Sequence, residues 1–117
     1  MNLTPIFKLF SDETRLRVIM VLNKEELCVC ELCGVLDEPQ PKISKILSKL
    51  RDLDLVSDRR REKFVFYSIN DGNNMIKGII DLIQSDIEDY PVLLEDQVRL
   101  ATKEQYSNKC VLKSLKE

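Results

Sequence analysis

The fold is decided by residues 37–69, which read DEPQPKISKILSKLRDLDLVSDRRREKFVFYSI. Pro39 and Pro41 mark the start of a helix, because proline is tolerated in the first turn and not in the interior. Beyond them, lysine and serine occupy the outer faces of the helix. Apolar residues recur at helical spacing, forming one regular stripe of Ile43, Ile46, Leu47, Leu50 and Leu53.

The second half of that stretch has the composition of a β-hairpin. Leu55–Arg59 and Phe64–Ile69 are rich in β-branched and aromatic residues, and Arg60–Lys63 separates them. This pattern predicts two antiparallel strands joined by a basic tip.

Amphipathic helices are predicted on both sides of this stretch. A first helix covers Leu3–Phe10, a second is capped by Ser11 or Asp12, and a third follows a group of cysteines and ends near Leu36. A fifth helix starts at Asp71 or Asn73 and runs through Ile87, and a last amphipathic segment covers Val92–Tyr106. The order predicts a mainly α protein with a β-hairpin wing, a winged helix-turn-helix that is dimeric. We expect this domain, with its dimerisation helices, to cover residues 1–90, and a C-terminal amphipathic segment and tail to cover 91–117.

Composition limits the class of protein. The chain has 117 residues, of which 44% are hydrophobic, enough for one packed domain. No apolar run approaches the roughly 18 residues of a membrane span, and no signal peptide is visible, so a cytoplasmic location without membrane partners is expected. No nucleophile–base pair or phosphate-binding loop is present, so we predict neither enzymatic activity nor a catalytic cofactor.

Charge is distributed unevenly along the chain. The formal charge is −2, but Lys42–Lys63 carries eight basic and four acidic residues, which leaves this segment at +4 and the remainder at −6. A solvated helix face is the plain interpretation. The basic residues, however, fall on the fourth helix and the hairpin tip, which favours contact with double-stranded DNA. The candidate contacts are Gln40, Lys42, Ser44, Lys45, Lys49, Arg59, Arg60, Arg61 and Lys63.

The fifth helix carries more apolar residues than one small core needs. A fully buried helix is one explanation. The other is a two-fold homodimer interface, which would place two recognition helices on a palindromic operator. The interface residues predicted from the first and fifth helices are Leu3, Ile6, Ile76, Ile79, Ile83 and Ile87.

Three of the four cysteines lie within six residues, in the pattern C-x-C-x-x-C formed by Cys28, Cys30 and Cys33. In an unbroken helix Cys28 would lie about 200° round from Cys30, and the thiols could not meet. If Cys30 is instead the N-cap residue, Cys33 lies at N3 and Cys28 precedes both in extended chain. We prefer this arrangement, which nearly forms a three-sulfur pocket at a helix N-terminus, where the dipole favours thiolates.

The chain has no histidine, and three thiolates alone do not complete a structural zinc site. A trigonal thiophilic ion such as As(III) or Sb(III) needs no fourth ligand. Small buried apolar side chains are the alternative explanation for the cysteines. Cys110 lies apart in a polar tail and is expected to be an isolated thiol.

Four stretches resemble the ArsR/SmtB family of metal-responsive repressors: FSDETRL at 10–16, ELCVCELC at 26–33, QPKIS at 40–44 and the hairpin at 58–67. The resemblance implies a homodimeric repressor that leaves its operator when trivalent arsenic or antimony, the inducer, binds Cys28, Cys30 and Cys33. The family often has Ser at the position of Pro39, His at that of Ile46 and Gly at that of Glu62.

Two alternatives remain open from the sequence. One is a repressor on the same scaffold that senses redox state, with a disulfide replacing the ion. The other is a constitutive DNA-binding module whose cysteines are inert.

Overall fold

The computed structural model describes residues 3–105. Six α-helices and three strands are described there, and a short 3₁₀ turn covers Ile87–Asp89. Their bounds are α1 Leu3–Phe10, α2 Glu13–Lys24, β1 Leu27–Cys28, α3 Val29–Leu36, α4 Gln40–Asp52, β2 Val56–Arg61, β3 Phe64–Ile69, α5 Asn74–Ser85 and α6 Pro91–Leu100. Helices α3 and α4 form the helix-turn-helix, and β2, β3 and their turn form the wing. The predicted winged helix-turn-helix is thereby confirmed.

The starts of α2, α4 and α5 lie where the sequence predicted them. The Asp12 carboxylate accepts the Arg15 backbone N–H at 2.9 Å and begins α2. Asn73 does the same for the N–H of Ile76 at 3.1 Å and begins α5. Pro39 is the N-cap residue of α4, so the two prolines do mark its start.

Helix α5 ends earlier than predicted. It stops at Ser85, and Ile87 lies in the 3₁₀ turn that follows. The Ser85 hydroxyl donates to the Leu82 carbonyl at 2.8 Å, and the Asp86 N–H reaches the Ile83 carbonyl three residues back. These contacts tighten the last turn, as commonly happens at helix C-termini.

The wing differs from the prediction at its tip. Arg60 and Arg61 belong to β2, where Arg61 pairs with Phe64, so the turn contains only Glu62 and Lys63. Glu62 has a φ of 55°, in the left-handed region. A two-residue hairpin connection requires such a conformation to match the twist of its strands, and glycine adopts it at the least cost.

A third strand, β1, was not predicted. Its residues pair antiparallel with β3, Leu27 with Tyr67 and Cys28 with Phe66, which gives the strand order β1-β3-β2. Because β1 leads directly into α3, the sheet connects the wing to the first helix of the helix-turn-helix.

The core lies between the helix-turn-helix, α2 and the first half of α5. Its fully buried side chains include Val18, Leu32, Ile43, Leu47, Leu50 and Ile80. The apolar stripe read from α4 therefore faces inward, and the polar residues between its members face solvent.

A buried ion pair connects α6 to α2. The Arg17 guanidinium donates to both carboxylate oxygens of Asp96 at 2.8 Å and to the Leu36 carbonyl at 2.8 Å. The Arg17 side chain is 14% exposed and that of Asp96 only 3%. This hydrogen bonding raises the pKa of Arg17. One side chain thus joins α2, α6 and the end of α3.

The predicted division at residue 90 stays a prediction. Residues 106–117, which include Tyr106 and Cys110, lie outside the described residues. Within residues 3–105, no helix is both long and apolar enough to cross a membrane.

Replacement of Asp96 by alanine should lower the free energy of unfolding by about 3 kcal/mol, because it leaves the buried Arg17 charge with only the longer contact to Glu38, at 3.4 Å, as an acidic partner. Urea unfolding followed by circular dichroism measures this loss. Glu95→Ala is the matched control, since Glu95 lies on the same helix, pairs with Arg99 at 3.0 Å and is 64% exposed. A loss for Asp96→Ala no larger than that of the control would contradict the role given to the buried pair.

Candidate nucleic-acid interface and thiol cluster

Five of the nine predicted DNA contacts lie on α4. Gln40, Lys42, Lys45 and Lys49 are exposed, and Ser44 is half-buried. The inward packing of Ile43 and Leu47 forces this arrangement, because residues between core positions on a helix point outward. Lys42 is 48% exposed and pairs with Glu38 of the preceding turn at 3.2 Å. Residues at the start of such a helix are those that reach base edges in the major groove.

The wing carries the other four predicted contacts, and all of them are exposed: Arg59, Arg60, Arg61 and Lys63. Two of them already have an acidic partner. The Glu26 carboxylate lies 3.1 Å from Arg59 Nη2 and 2.9 Å from Arg61 Nη2. The Arg61 guanidinium also lies over the Phe66 ring, 4.3 Å from its centroid. Sequence reasoning missed Glu26, because its approach to the wing depends on the unpredicted strand β1.

The thiol cluster, Cys28, Cys30 and Cys33, lies at the start of α3, but its register differs from the prediction. Cys28 is the N-cap residue, with φ −88° and ψ 169°, and Cys30 lies within the first turn. The expectation that Cys30 caps the helix is therefore wrong by two residues. The physical reason is twofold: Leu27 and Cys28 are held extended by β3, and the Glu31 carboxylate accepts the Cys28 N–H at 3.1 Å.

This register brings two of the three thiols onto one helix face. Cys30 and Cys33 are three residues apart in α3 and so are neighbours on its surface. Cys28 precedes the helix. Among residues 3–105, no group of three or more His, Cys, Asp or Glu side chains is placed to hold a metal ion, and none of the three thiols is in a disulfide. The predicted three-sulfur pocket is not assembled in this structure.

Burial decides the protonation of Cys28. Its side chain is 6% exposed, and this desolvation raises the pKa of the thiol. A hydrogen bond from the Glu31 backbone lowers the pKa by less, and the nearby Glu31 carboxylate raises it further. This direction is opposite to the one expected for a thiol at a helix N-terminus, and desolvation is its largest cause.

The carbonyl of Cys33 takes part in the turn between α3 and α4. It accepts the backbone N–H of Glu38 at 3.1 Å, and Asp37, the C-cap residue, has a φ of 54°. One member of the thiol cluster therefore also helps to hold the turn that leads into the recognition helix.

The residues predicted for the dimer interface differ in their exposure within the protomer. Ile6 and Ile76 are buried in the protomer, at 3% and 4% exposure, and Ile79, Ile83 and Ile87 are half-buried. Leu3 is 51% exposed. The other exposed apolar side chains of α1 and α5 are Phe7, Met75 and Leu82. Helical spacing shows that α5 carries more apolar residues than one small core needs. It does not show which of them face the protomer's own core.

These features define a class of protein. A buried α4 stripe with a basic outer face, next to a basic wing, is the arrangement of a winged helix-turn-helix regulatory protein. Residues 12–58 match the family described as bacterial regulatory protein, arsR family. An arsenic resistance transcriptional regulator of Pseudomonas putida is 40% identical over 90 residues, which is 70% of each chain. The chain belongs to the ArsR family, and the resemblance seen in the sequence is confirmed.

Two further relatives extend this comparison. The arsenical resistance operon repressor of Escherichia coli is 47% identical over 66 residues, and the match spans 56% of each protein. The structure of reduced HlyU from Vibrio cholerae superposes with a TM-score of 0.63 at 31% identity, covering 68% of this chain and 82% of that one.

The burial of Cys28 predicts slow alkylation. Iodoacetamide reacts with the thiolate, and both burial and the raised pKa reduce the reactive fraction of Cys28. At about pH 8, we expect Cys28 to be modified at least about tenfold more slowly in the native protein than in urea, with mass spectrometry of each cysteine peptide as the measurement. Equal rates for Cys28 in native and unfolded protein would contradict its placement.

Proposed function

We propose that the protein is a transcriptional repressor that binds operator DNA as a homodimer and leaves it when As(III) or Sb(III) is bound by Cys28, Cys30 and Cys33. The observation that carries the proposal is the position of the thiol cluster. It occupies the start of α3, and α3 packs directly against the recognition helix α4.

The basic surface supports the DNA-binding part of the proposal. Lysines of α4 and arginines of the wing are exposed, and the residues outside Lys42–Lys63 together carry a net charge of −6. These cations would neutralise phosphates and release counterions, which gives affinity without sequence preference. Gln40 and Ser44, at the start of α4, would supply hydrogen bonds to base edges.

Donor chemistry supports the inducer. The chain offers three thiols within six residues and no histidine, a set that suits a trigonal thiophilic ion. Two of the relatives are named for arsenical or arsenic resistance.

The geometry indicates how binding would be coupled to DNA release. For three sulfurs to converge, Cys28 must approach the α3 face that carries Cys30 and Cys33. We infer that this movement weakens its backbone pairing with Phe66 or its hydrogen bond to Glu31. The liganded form therefore has a different start of α3, and allostery requires that the inducer bind this form more tightly.

A displacement of Cys33 would act on the turn before α4, because the Cys33 carbonyl accepts the Glu38 N–H in that turn. A hundredfold loss of DNA affinity needs only about 2.7 kcal/mol of coupling. That is the size of a few hydrogen bonds.

The exposed apolar residues of α1 and α5 support a homodimer. Leu82 is 72% exposed and Phe7 59%. A second copy of the chain related by a two-fold axis would cover both helices and present two α4 helices to the two halves of a palindrome.

Replacement of Cys30 by serine should keep operator binding and abolish release by arsenite, since the oxygen of serine is a poor ligand for a thiophilic ion. Gel shift on the DNA upstream of the protein's own gene, under reducing conditions with and without arsenite, is the measurement. Cys110→Ser is the control and should release like the unmodified protein. Normal release by the Cys30 variant, or release by peroxide in place of arsenite, would show that the assignment of the inducer site is wrong.

Replacement of Leu82 by lysine should convert the dimer to a monomer, because it places a charge in an apolar interface. Sedimentation at micromolar concentration measures the change, and circular dichroism checks that the fold is kept. Val98→Lys is the matched control, since Val98 is 63% exposed but lies on α6. If the unmodified protein sediments as a monomer, the homodimer is excluded.

A further inference from the structure

The residue Glu26 holds two arginines of the wing. It lies just before β1, and its carboxylate reaches across β3 to Arg59 and Arg61 on β2. Both of its oxygens lie 3.1 Å from Arg59 Nη2, and one lies 2.9 Å from Arg61 Nη2. Half of the wing's four predicted DNA contacts therefore share one acidic partner within the protein.

We propose that Glu26 is an internal counter-ion of the wing, occupying the place that a DNA phosphate takes and thereby limiting the affinity and salt dependence of DNA binding. This inference rests on the proposed function, in which the wing contacts DNA. The chemistry is the same in both states, since carboxylate and phosphate both accept charge-assisted hydrogen bonds from the guanidinium fork.

The exposure of these groups shows that the exchange is possible. The side chains of Arg59 and Arg61 are 63% and 54% exposed, whereas that of Glu26 is 28% exposed. Ion pairs between exposed side chains contribute little to stability, because solvent and salt screen them. The arginines can therefore turn from Glu26 to a phosphate without disturbing the core.

The contacts of Arg61 support an ordered wing in the absence of DNA. Its guanidinium lies over the Phe66 ring while it also pairs with Glu26, and Phe66 in turn packs edge-on against Phe64 with ring centroids 6.5 Å apart. Glu26 thus has two effects of opposite sign on DNA binding. It orients the arginines, which favours binding, and it cancels part of their charge, which opposes binding. Because Phe66 also orients Arg61, we expect the loss of charge cancellation to dominate when Glu26 is neutralised.

The test is Glu26→Gln, which keeps the shape of the side chain and removes its charge. Fluorescence anisotropy of the full chain is measured with two labelled duplexes: the region upstream of its own gene and a random sequence of about 30 base pairs, longer than a site with two half-sites one helical turn apart. We expect the variant to bind both duplexes about three- to tenfold more tightly at low salt. The plot of log affinity against log salt should steepen by about 0.9 for each additional phosphate neutralised.

Two controls separate this effect from a general change in charge. Glu25→Gln removes the same charge one residue away, where Glu25 pairs with Lys103 at 3.4 Å, and should change affinity by less than about twofold. In a background of Arg59→Gln and Arg61→Gln, the substitution of Glu26 should have no further effect. An unchanged affinity and salt slope for Glu26→Gln would overturn the inference. An equal gain for Glu25→Gln, or a gain that persists without the arginines, would overturn it as well.

The two duplexes distinguish this inference from the proposed function. If the unmodified protein does not prefer the upstream region to the random duplex, operator recognition fails, and the role of Glu26 is still judged on the random duplex. If the preference is present and Glu26→Gln changes nothing, the role of Glu26 alone fails. If the protein binds neither duplex, both are overturned.

Discussion

The placement of the DNA-reading motif depends on the guanidinium of Arg17. It is held by both oxygens of Asp96, and it donates to the last residue of α3, Leu36. Arg99 of α6 adds a second donor, to the Val35 carbonyl at 3.3 Å. These contacts satisfy the carbonyls that a helix leaves without partners at its C-terminus. The end of α3, and with it the turn into α4, is therefore fixed to α2 and α6.

The start of α3 is held differently. Its N-cap is a thiol, and sulfur accepts hydrogen bonds weakly compared with the serine or aspartate usual at that position. Much of the support comes from Glu31, whose carboxylate accepts the Cys28 N–H and lies 3.3 Å from Lys103 Nζ. The two ends of this eight-residue helix are therefore held by different contacts. A buried ion pair supports the C-terminal end, and a thiol cap and a two-residue strand support the N-terminal end.

Much of this architecture was predictable because its determinants are local. The cap at Asp12, the prolines before α4 and the apolar stripe of that helix act within a few residues of chain, and each is readable as a pattern. Strand β1 is different, since Leu27 and Cys28 become a strand only by pairing with Tyr67 and Phe66, forty residues away in the first case and thirty-eight in the second. A two-residue strand has no periodicity to detect.

The error in the cysteine register follows from the same missing strand. Without β1, nothing in the sequence holds Cys28 extended, and either Cys28 or Cys30 could begin the helix. The pairing of Glu26 with the wing was hidden for this reason too, because it requires the strand order β1-β3-β2. The contacts between the thiol cluster and the wing could therefore not be predicted from the sequence.

The contacts of α3 determine which part of this helix is distorted first by a change at the thiol cluster. Breaking a few hydrogen bonds at the start of α3 costs roughly 1 kcal/mol each. Removing one partner of a buried ion pair such as Arg17–Asp96 costs about 3–5 kcal/mol. In the proposed function, a ligand that draws the thiols together would therefore distort the beginning of α3 before its end. The carbonyl of Cys33 lies between the two regions, one turn from the adjustable start and hydrogen-bonded to Glu38 in the anchored turn. In the proposed function, a distortion that reaches Cys33 would disturb the turn that leads into α4, whereas one confined to Cys28 and Cys30 would leave that turn in place.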